Sequence, residues 1–437
     1  MSAPAPGDTT PVAAVERPAT IRDVFAVREF RPLFGTFLLS PAGDELARVA
    51  LTVLVYQRTS SPLLSALTFA IGHLPWLLGG PLLSAMADRL PRHRVLIAAD
   101  AVRAALLGLM AIPGTPLPVL LALLFLVSLC APPFESARAA LIADVLEGDR
   151  YAVANSLTNI ALQLAQVVGF LAAGALVAAF SPSAALLIDG VTFAVSALWL
   201  AQGLQRRPAP TSEAGIGRRT LWQDIGDGLR LIARSPRLLA IMGVLWVGTM
   251  FTTASEGVAV PLVEELGHRA TTIGVLLAAH PLGVTIGGLV IARLVAPARR
   301  ERLIGPLVVL SLAAVLAAGL VAVLASPSEV AFAVVVALLF VSGLGTSWVI
   351  PLNVSFVQAV PAAYRGRAFG VAVSGLYGVQ ALGAFAAGLG AETLSAGGVV
   401  ALSGALGLAL VAPALIAFRR TQGHMAAGMA PEGRSTA

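Results

Sequence analysis

The chain contains no lysine: all 29 of its Lys-or-Arg positions are arginine. A phosphate-binding loop of the form G-x-x-x-x-G-K-[ST] is therefore excluded, because its lysine reaches the nucleotide phosphates. Uphill work, if the chain does any, points to an ion gradient rather than to a nucleotide. Cysteine is almost as scarce. With Cys130 alone, no disulfide closes within the chain and no cysteine-based zinc cluster forms. Charge is scarce too, with 12% of residues charged against 57% hydrophobic. A soluble protein of 437 residues could not cover itself in polar side chains from that supply. The bilayer is the natural solvent. Neither H-E-x-x-H nor G-x-S-x-G occurs, so no hydrolytic constellation supports an enzyme, and no metal or cofactor is implied.

What is present is a set of long apolar runs. A membrane helix needs about 20 apolar residues. Cutting at charged and Pro/Gly-marked turns predicts helices near 31–57, 62–87, 94–113, 117–146, 151–180 and 183–204. A second set follows near 237–263, 270–296, 302–325, 329–356, 362–391 and 397–418. The expected fold is all-α and integral to the membrane, with twelve transmembrane helices as two pseudo-symmetric six-helix bundles, 21–204 and 237–420. Residues 1–20 and 421–437 read as disordered tails. The polar stretch 205–236 reads as a linker. Within it, Leu221, Ile225, Leu229 and Ile232 recur at helical spacing, which suits a short amphipathic helix on the membrane surface. An ordinary solvated linker fits equally.

Arginine placement sets the orientation. Arg22, Arg28 and Arg31 precede the first helix, and Arg89, Arg92 and Arg94 follow the second. Arg150, the linker, Arg299, Arg300, Arg302, Arg365, Arg367, Arg419 and Arg420 continue the alternation. The opposite loops keep only Arg58 and Arg269. By the positive-inside rule, both termini and the linker are cytoplasmic. The net charge of +6 is then a matter of topology, with no nucleic-acid partner implied. Arginine in place of lysine, with abundant Ala and Gly, fits a GC-rich bacterial genome, hence the inner (cytoplasmic) membrane of a bacterium. A monomer is expected.

Charges inside the apolar runs are the candidate chemistry. One such charge costs at least roughly 2.5–3.5 kcal/mol at bilayer depth. Asp44, Glu45 and Arg48 share the first helix, and Glu135 and Arg138 share the fourth. At the helical rise, Asp44 lies about 20 Å and Glu135 about 16 Å from the cytoplasmic side. Arg48 is one turn from both Asp44 and Glu45, so it can pair with either. A carboxylate balanced between burial and a nearby arginine can carry a proton. A permanent structural ion pair is the alternative reading. Asp189 sits toward the outer end of the sixth helix, where a capping or pairing role suffices. For His280, before Pro281, a hydrogen-bonded packing role is the simplest account.

The loop after the second helix, Ser84 to Arg94, carries Asp88, Arg89, Arg92 and His93 at the charged positions of the pattern G-x-x-x-D-R-x-G-R-[RK]. Six plus six helices around a cytoplasmic linker, with that loop, resemble the major facilitator superfamily. Gly43-Asp44, Asp100 with Arg103, Ala154-Asn155-Ser156, Ala184 to Asp189, and Pro361 to Arg367 narrow the resemblance. Together they are similar to the drug:proton antiporter-3 branch, which includes macrolide-efflux and siderophore-export proteins. The resemblance implies export of a small organic molecule in exchange for protons. It further implies a cavity lined by helices 1, 4, 7 and 10, and a cytoplasmic gate of Asp88, Arg89, Arg92, Asp100, Arg103 and Asp144. Candidate cavity residues are Glu256, Trp246, Phe251, Trp348, Asn353 and Tyr377. An uptake symporter or facilitator of the same fold is the runner-up. A non-transporting membrane sensor or scaffold is the alternative from another class. The expected partners are a small-molecule substrate, protons and lipid.

Overall fold

The computed structural model describes residues 19–77, 90–208, 221–269, 272–361 and 364–428. The expected N-terminal tail, most of the loop 84–94 with Asp88 and Arg89, and part of the linker lie outside them. The described residues are helical, with no strand among them.

In the first half, α1 (Ile21–Phe25) leads into α2 (Phe30–Thr59), α3 (Pro62–Ile71) and α4 (Arg92–Met110). Then come α5 (Leu117–Leu129), α6 (Ala131–Val145), α7 (Asp149–Ala179) and α8 (Pro182–Gly203). The linker contributes α9 (Leu221–Arg234). The second half holds α10 (Pro236–Thr252), α11 (Ala254–Gly257), α12 (Ala259–Glu265), α13 (Ile273–Leu294) and α14 (Pro297–Arg300). It ends with α15 (Ile304–Leu324), α16 (Glu329–Thr346), α17 (Val349–Ala359), α18 (Arg365–Gly390) and α19 (Ala396–Gly428).

Nine spans among the described residues are long and apolar enough to cross a membrane. The helices α2, α3 and α4 stand where the first three crossings are expected. Two of them, α2 and α4, carry internal charges, and α3 adjoins residues outside the described set. The final helix runs on to Gly428, so the expected boundary of the C-terminal tail falls inside a helix.

Local chemistry sets many of the starts. Ser61-Pro62, Ser181-Pro182 and Ser235-Pro236 each place a serine at the N-cap and a proline at the first helical position. The serine hydroxyls accept from the N–H groups of Leu64, Ala184 and Leu238, which would otherwise lack a partner. Proline fits there because its missing N–H is not needed. Breaks have causes as well. Pro132 and Pro133 open α6, so the fourth crossing turns at Cys130. The seventh crossing breaks at Thr253 and again at Val258, and the tenth at Ser347-Trp348.

Two seams join the halves. One pairs α3 with α18: a Cβ added at Gly388 would sit 2.3 Å from the Ala66 side chain. The other pairs α7 with α13: a Cβ at Gly274 would sit 2.4 Å from the Phe170 carbonyl. Both lie toward the end of the molecule away from the termini, here the far end. Buried apolar residues from both halves merge into one core there, from Leu46–Val55 across to Ala254–Leu266. At the near end, which carries the termini, the cores separate. Phe30, Leu96 and Phe134 belong to the first half, and Ile241, Trp348 and Phe356 to the second. Among the described residues, the buried apolar core is thus shared by the halves at the far end and separate at the near end.

Helix α9 lies along α18: a Cβ at Gly228 would be 3.0 Å from the Arg367 carbonyl, and Ile232 is buried. The linker therefore folds onto the second half. Leu294, Leu324 and Val330 are strongly exposed, as side chains facing lipid would be.

Candidate functional site

A cavity of about 480 Å³ lies between the halves, above the joined core. The first half supplies Asp44, Glu45 and Arg48 from α2, Glu135 and Arg138 from α6, and Asn155, Gln163 and Gln166 from α7. The second half supplies Glu256 from α11, His280 from α13, and Tyr377 and Gln380 from α18.

Two of its carboxylates are paired within their own helices. Glu45 contacts Arg48 at 3.2 Å, and Glu135 accepts from the Arg138 guanidinium at 2.6 and 3.2 Å. Each arginine also rests on an aromatic face: Arg48 at 5.0 Å from the Phe69 ring centre, Arg138 at 3.8 Å from that of Phe37. These contacts hold the cations in place in the cavity wall. Asp44 and Glu256 differ. Neither side chain has a hydrogen bond or ion pair to any described residue. Arg103, Arg48 and Glu135 are among the charges that bear on Asp44. Of the two partners open to Arg48, the structure selects Glu45.

Behind Asp44, three helices enclose a second polar group. Arg103 donates to the Ser40 hydroxyl at 2.9 Å and contacts Asp100 at 3.7 Å. Ser196 donates to Asp100 at 2.5 Å. Asp189 is fully buried beside them. Arg103 alone of this group reaches the cavity together with Ser40.

Across the wall from Asp44, His73 and Trp76 of the second crossing meet Tyr377. The Trp76 and Tyr377 rings stack at 4.9 Å, and His73 lies 5.7 Å from Tyr377. At the far end Glu392, between α18 and α19, accepts from the Ser61 hydroxyl at 2.7 Å and the Leu63 N–H at 3.0 Å. That carboxylate caps the start of α3 across the seam, and the two donors hold its pKa below the usual value. In the linker, Arg207 donates to Glu29 at 2.5 and 3.0 Å, which raises its pKa further. No cluster among the described residues could hold a metal ion.

Residues 33–304, more than half of the chain, match the Major Facilitator Superfamily. The chain belongs to that superfamily. It is a multi-pass membrane transporter and not an enzyme. Comparison with curated proteins finds no match. Among solved structures, the nucleoside transporter NupG is similar at a TM-score of 0.72 and 13% identity, over 90% of this chain and 100% of that one. A peptide transporter, POT, is similar at 0.69 and 16% identity, over 92% and 94%. A POT family transporter in complex with a thioalcohol-conjugated peptide is similar at 0.67 and 12%, over 88% and 95%. At these identities the likeness shows the facilitator fold alone.

Within that fold, the residues singled out in the sequence separate. Asp44, Glu45, Arg48, Glu135 and Arg138 meet in the central cavity, with Glu256 and Tyr377. Trp246, Phe251, Trp348 and Asn353 do not line it. The Trp246 indole donates to the Ala372 carbonyl at 3.2 Å, packing α10 on α18. Trp348 is fully buried against Gly248, and Phe251 fills the space at Gly407. Asn353 lies on a separate, almost wholly apolar cavity of about 190 Å³ between α10, α17 and α18. No residue of the tenth crossing lines the central cavity.

The expected gate is also not one cluster. Arg92 pairs with Asp144 at the near end. Asp100 and Arg103 sit deeper, since eight residues along a helix are about 12 Å, and they face Ser40 and Ser196 instead. Asp88 and Arg89 lie outside the described residues. Asp189 is not at a helix end but inside the N-terminal bundle. His280 contacts the Thr346 hydroxyl at 3.2 Å and lines the cavity. His73 and Trp76 carried no signal in the sequence beyond being polar or aromatic in an apolar run.

Proposed function

We propose that the chain is a secondary active exporter of a small organic molecule, of the drug:proton antiporter-3 type, working by proton antiport and alternating access. It acts as a monomer in the inner membrane of a bacterium. The positive-inside arginines make the near end cytoplasmic. The structure then corresponds to the state that takes substrate from the cytoplasm, with the far, periplasmic end shut by the joined core and the Glu392 contacts. Rocking of the two halves about the cavity would expose the same site outward.

The observation that carries this reading is the pair of unpartnered carboxylates, Asp44 and Glu256, one from each half, in a single cavity. A carboxylate left without a cation inside a membrane is costly unless it is protonated or meets a ligand. Asp44 serves as the exchanging proton site, near Arg103 and Arg48, whose movement would stabilise its charged form. Glu256 serves as the anchor for a neutral or cationic substrate. Arg92 and Asp144, with Asp88 and Arg89, form the cytoplasmic gate.

The test is substrate-driven pH change in proteoliposomes over a panel of cationic and neutral compounds, with Asp44→Asn, Glu256→Gln and the pair. Outward transport with counter-movement of protons, lost in Asp44→Asn, is the expected result. Substrate movement without proton flux in the parent would leave a facilitator. Uptake together with protons would make the chain a symporter. Cysteine labelling on a Cys130→Ala background tests the orientation: position 269 should react from outside and position 300 should not.

A further inference from the structure

The polar group behind Arg103 does not balance in charge. Arg103 is its one cation, and it is committed: Ser40 at 2.9 Å, Asp100 at 3.7 Å, and the faces of Phe134 and Phe193 at 5.3 and 5.2 Å. Asp100 takes that charge and the Ser196 hydroxyl. Asp189 is left over. It is fully buried, about 10 Å in from the start of α8 at the helical rise. No cation lies within ion-pair distance of it among the described residues, and its Oδ2 has no hydrogen-bond partner.

Its other oxygen is more telling. The Thr192 hydroxyl lies 2.8 Å from the Asp189 backbone carbonyl and 3.1 Å from the carboxyl Oδ1. A hydroxyl has one hydrogen. That one hydrogen cannot serve the backbone carbonyl and Oδ1 fully at once, so the carboxyl has at most a shared donor on Oδ1 and none on Oδ2. TM packing closes the remaining side. A Cβ at Gly43 would sit 2.2 Å from Oδ1, so the α2 backbone lies directly on the carboxyl, one residue from Asp44. The charged groups facing Asp189 are Asp44 from α2 and Asp100 and Arg103 from α4.

We propose that Asp189 is an occluded proton-binding site, screened from the cavity by Arg103 and α2, that holds one proton in this state and releases it when Arg103 turns from Asp100 toward it. On release the O–H bond of Asp189 breaks, its electron pair stays on the carboxylate, and Arg103 neutralises the new charge. The proton forms an O–H bond on Asp44 or passes to cavity water. Asp100, left without its cation, takes up one proton from cavity water. The use of this proton in transport rests on the antiport reading above; its presence on Asp189 does not.

Infrared difference spectroscopy of the full-length protein in lipid nanodiscs at neutral pH tests the site without any substrate. Parent minus Asp189→Asn should show the carbonyl band of a protonated carboxyl, shifting in D2O more slowly than bands from cavity carboxyls. An ionised-carboxylate signature in that difference overturns the proposal. Should Asp189→Asn fail to fold, Thr192→Val serves. It removes the hydroxyl that donates to Oδ1, so the protonated-carboxyl band should move to the frequency of a carbonyl without a hydrogen-bond donor. An unchanged protonated-carboxyl region again overturns the proposal. Parent proteoliposomes that move substrate without proton flux would remove the antiport reading alone and leave the infrared result standing.

Discussion

The two halves share one fold and differ in what they bury. The first half carries Asp44, Glu45, Arg48, Asp100, Arg103, Glu135, Arg138 and Asp189 within its crossings. The second offers the central cavity only Glu256 and His280 as titratable groups besides Tyr377, and its near-end core is apolar around Trp348. Ions inside a membrane need partners, hydrogen bonds or a proton, and such partners must be held at fixed distances. A half that carries a network of this kind is rigid where it is charged. Both halves break crossings, the first at Cys130 between α5 and α6 and the second within α10–α12 and between α16 and α17. The difference between the halves therefore lies in their buried charge, which is concentrated in the first half.

Arg103→Met should break this comparison most severely. It leaves Asp100 buried without its cation, at a cost of roughly 3–5 kcal/mol. Thermal unfolding of the purified protein should fall accordingly, and a variant as stable as the parent would mean that Asp100 is already neutral. Asp44→Asn comes next. It should reduce proton-coupled flux to background while leaving the protein inserted and folded, because asparagine keeps the shape and cannot titrate. Flux at the parental rate would move the coupling to Glu45, Glu135 or Glu256.

In the second half, Trp348→Ala removes a fully buried ring from its seat on Gly248 and should cost about 3–5 kcal/mol in stability. The surviving folded protein should keep its proton-to-substrate ratio. A changed ratio would mean that the apolar half also sets coupling. The smallest effect is expected at the far end. Glu392 makes its bonds to Ser61 and Leu63 only across the closed seam, and they lower its pKa from 4.5. A lowered carboxylate value favours the closed form fully above its ordinary pKa and loses that contribution as pH falls through the lowered one. Spin labels at positions 58 and 394 should therefore report a slightly more open far end in acid, and Glu392→Gln should remove the pH response. An opening that persists in Glu392→Gln would assign it to another group.

Parts of the site were legible because helical geometry is local. Glu45–Arg48, Asp100–Arg103 and Glu135–Arg138 are each three residues apart, so each could be read as a pair before any tertiary contact was known. The burial of Asp189 was not legible, for the opposite reason. Its helix is apolar nearly all round, and nothing in the run Ala184 to Leu187 tells which side meets α2 and α4. Trp246, Phe251 and Trp348 were offered to the cavity on aromatic character, yet each fills a space left by a glycine: Gly375, Gly407 and Gly248.

The sequence by itself determined the solvent, the helical runs and the serine-proline starts of several, the arginine alternation and the neighbours along each helix. Composition requires a bilayer, Ser-Pro pairs start several of the helices, and a three-residue spacing is fixed by the turn. Only the tertiary structure decided which face of each helix looks inward. In water an amphipathic stripe marks that face, but lipid is as apolar as a packed core, so a membrane helix can be uniformly apolar and still have a single buried side. That choice left Asp44 and Glu256 without partners among the described residues in one cavity, put Asp189 beneath Gly43, and joined the halves in one core at the far end.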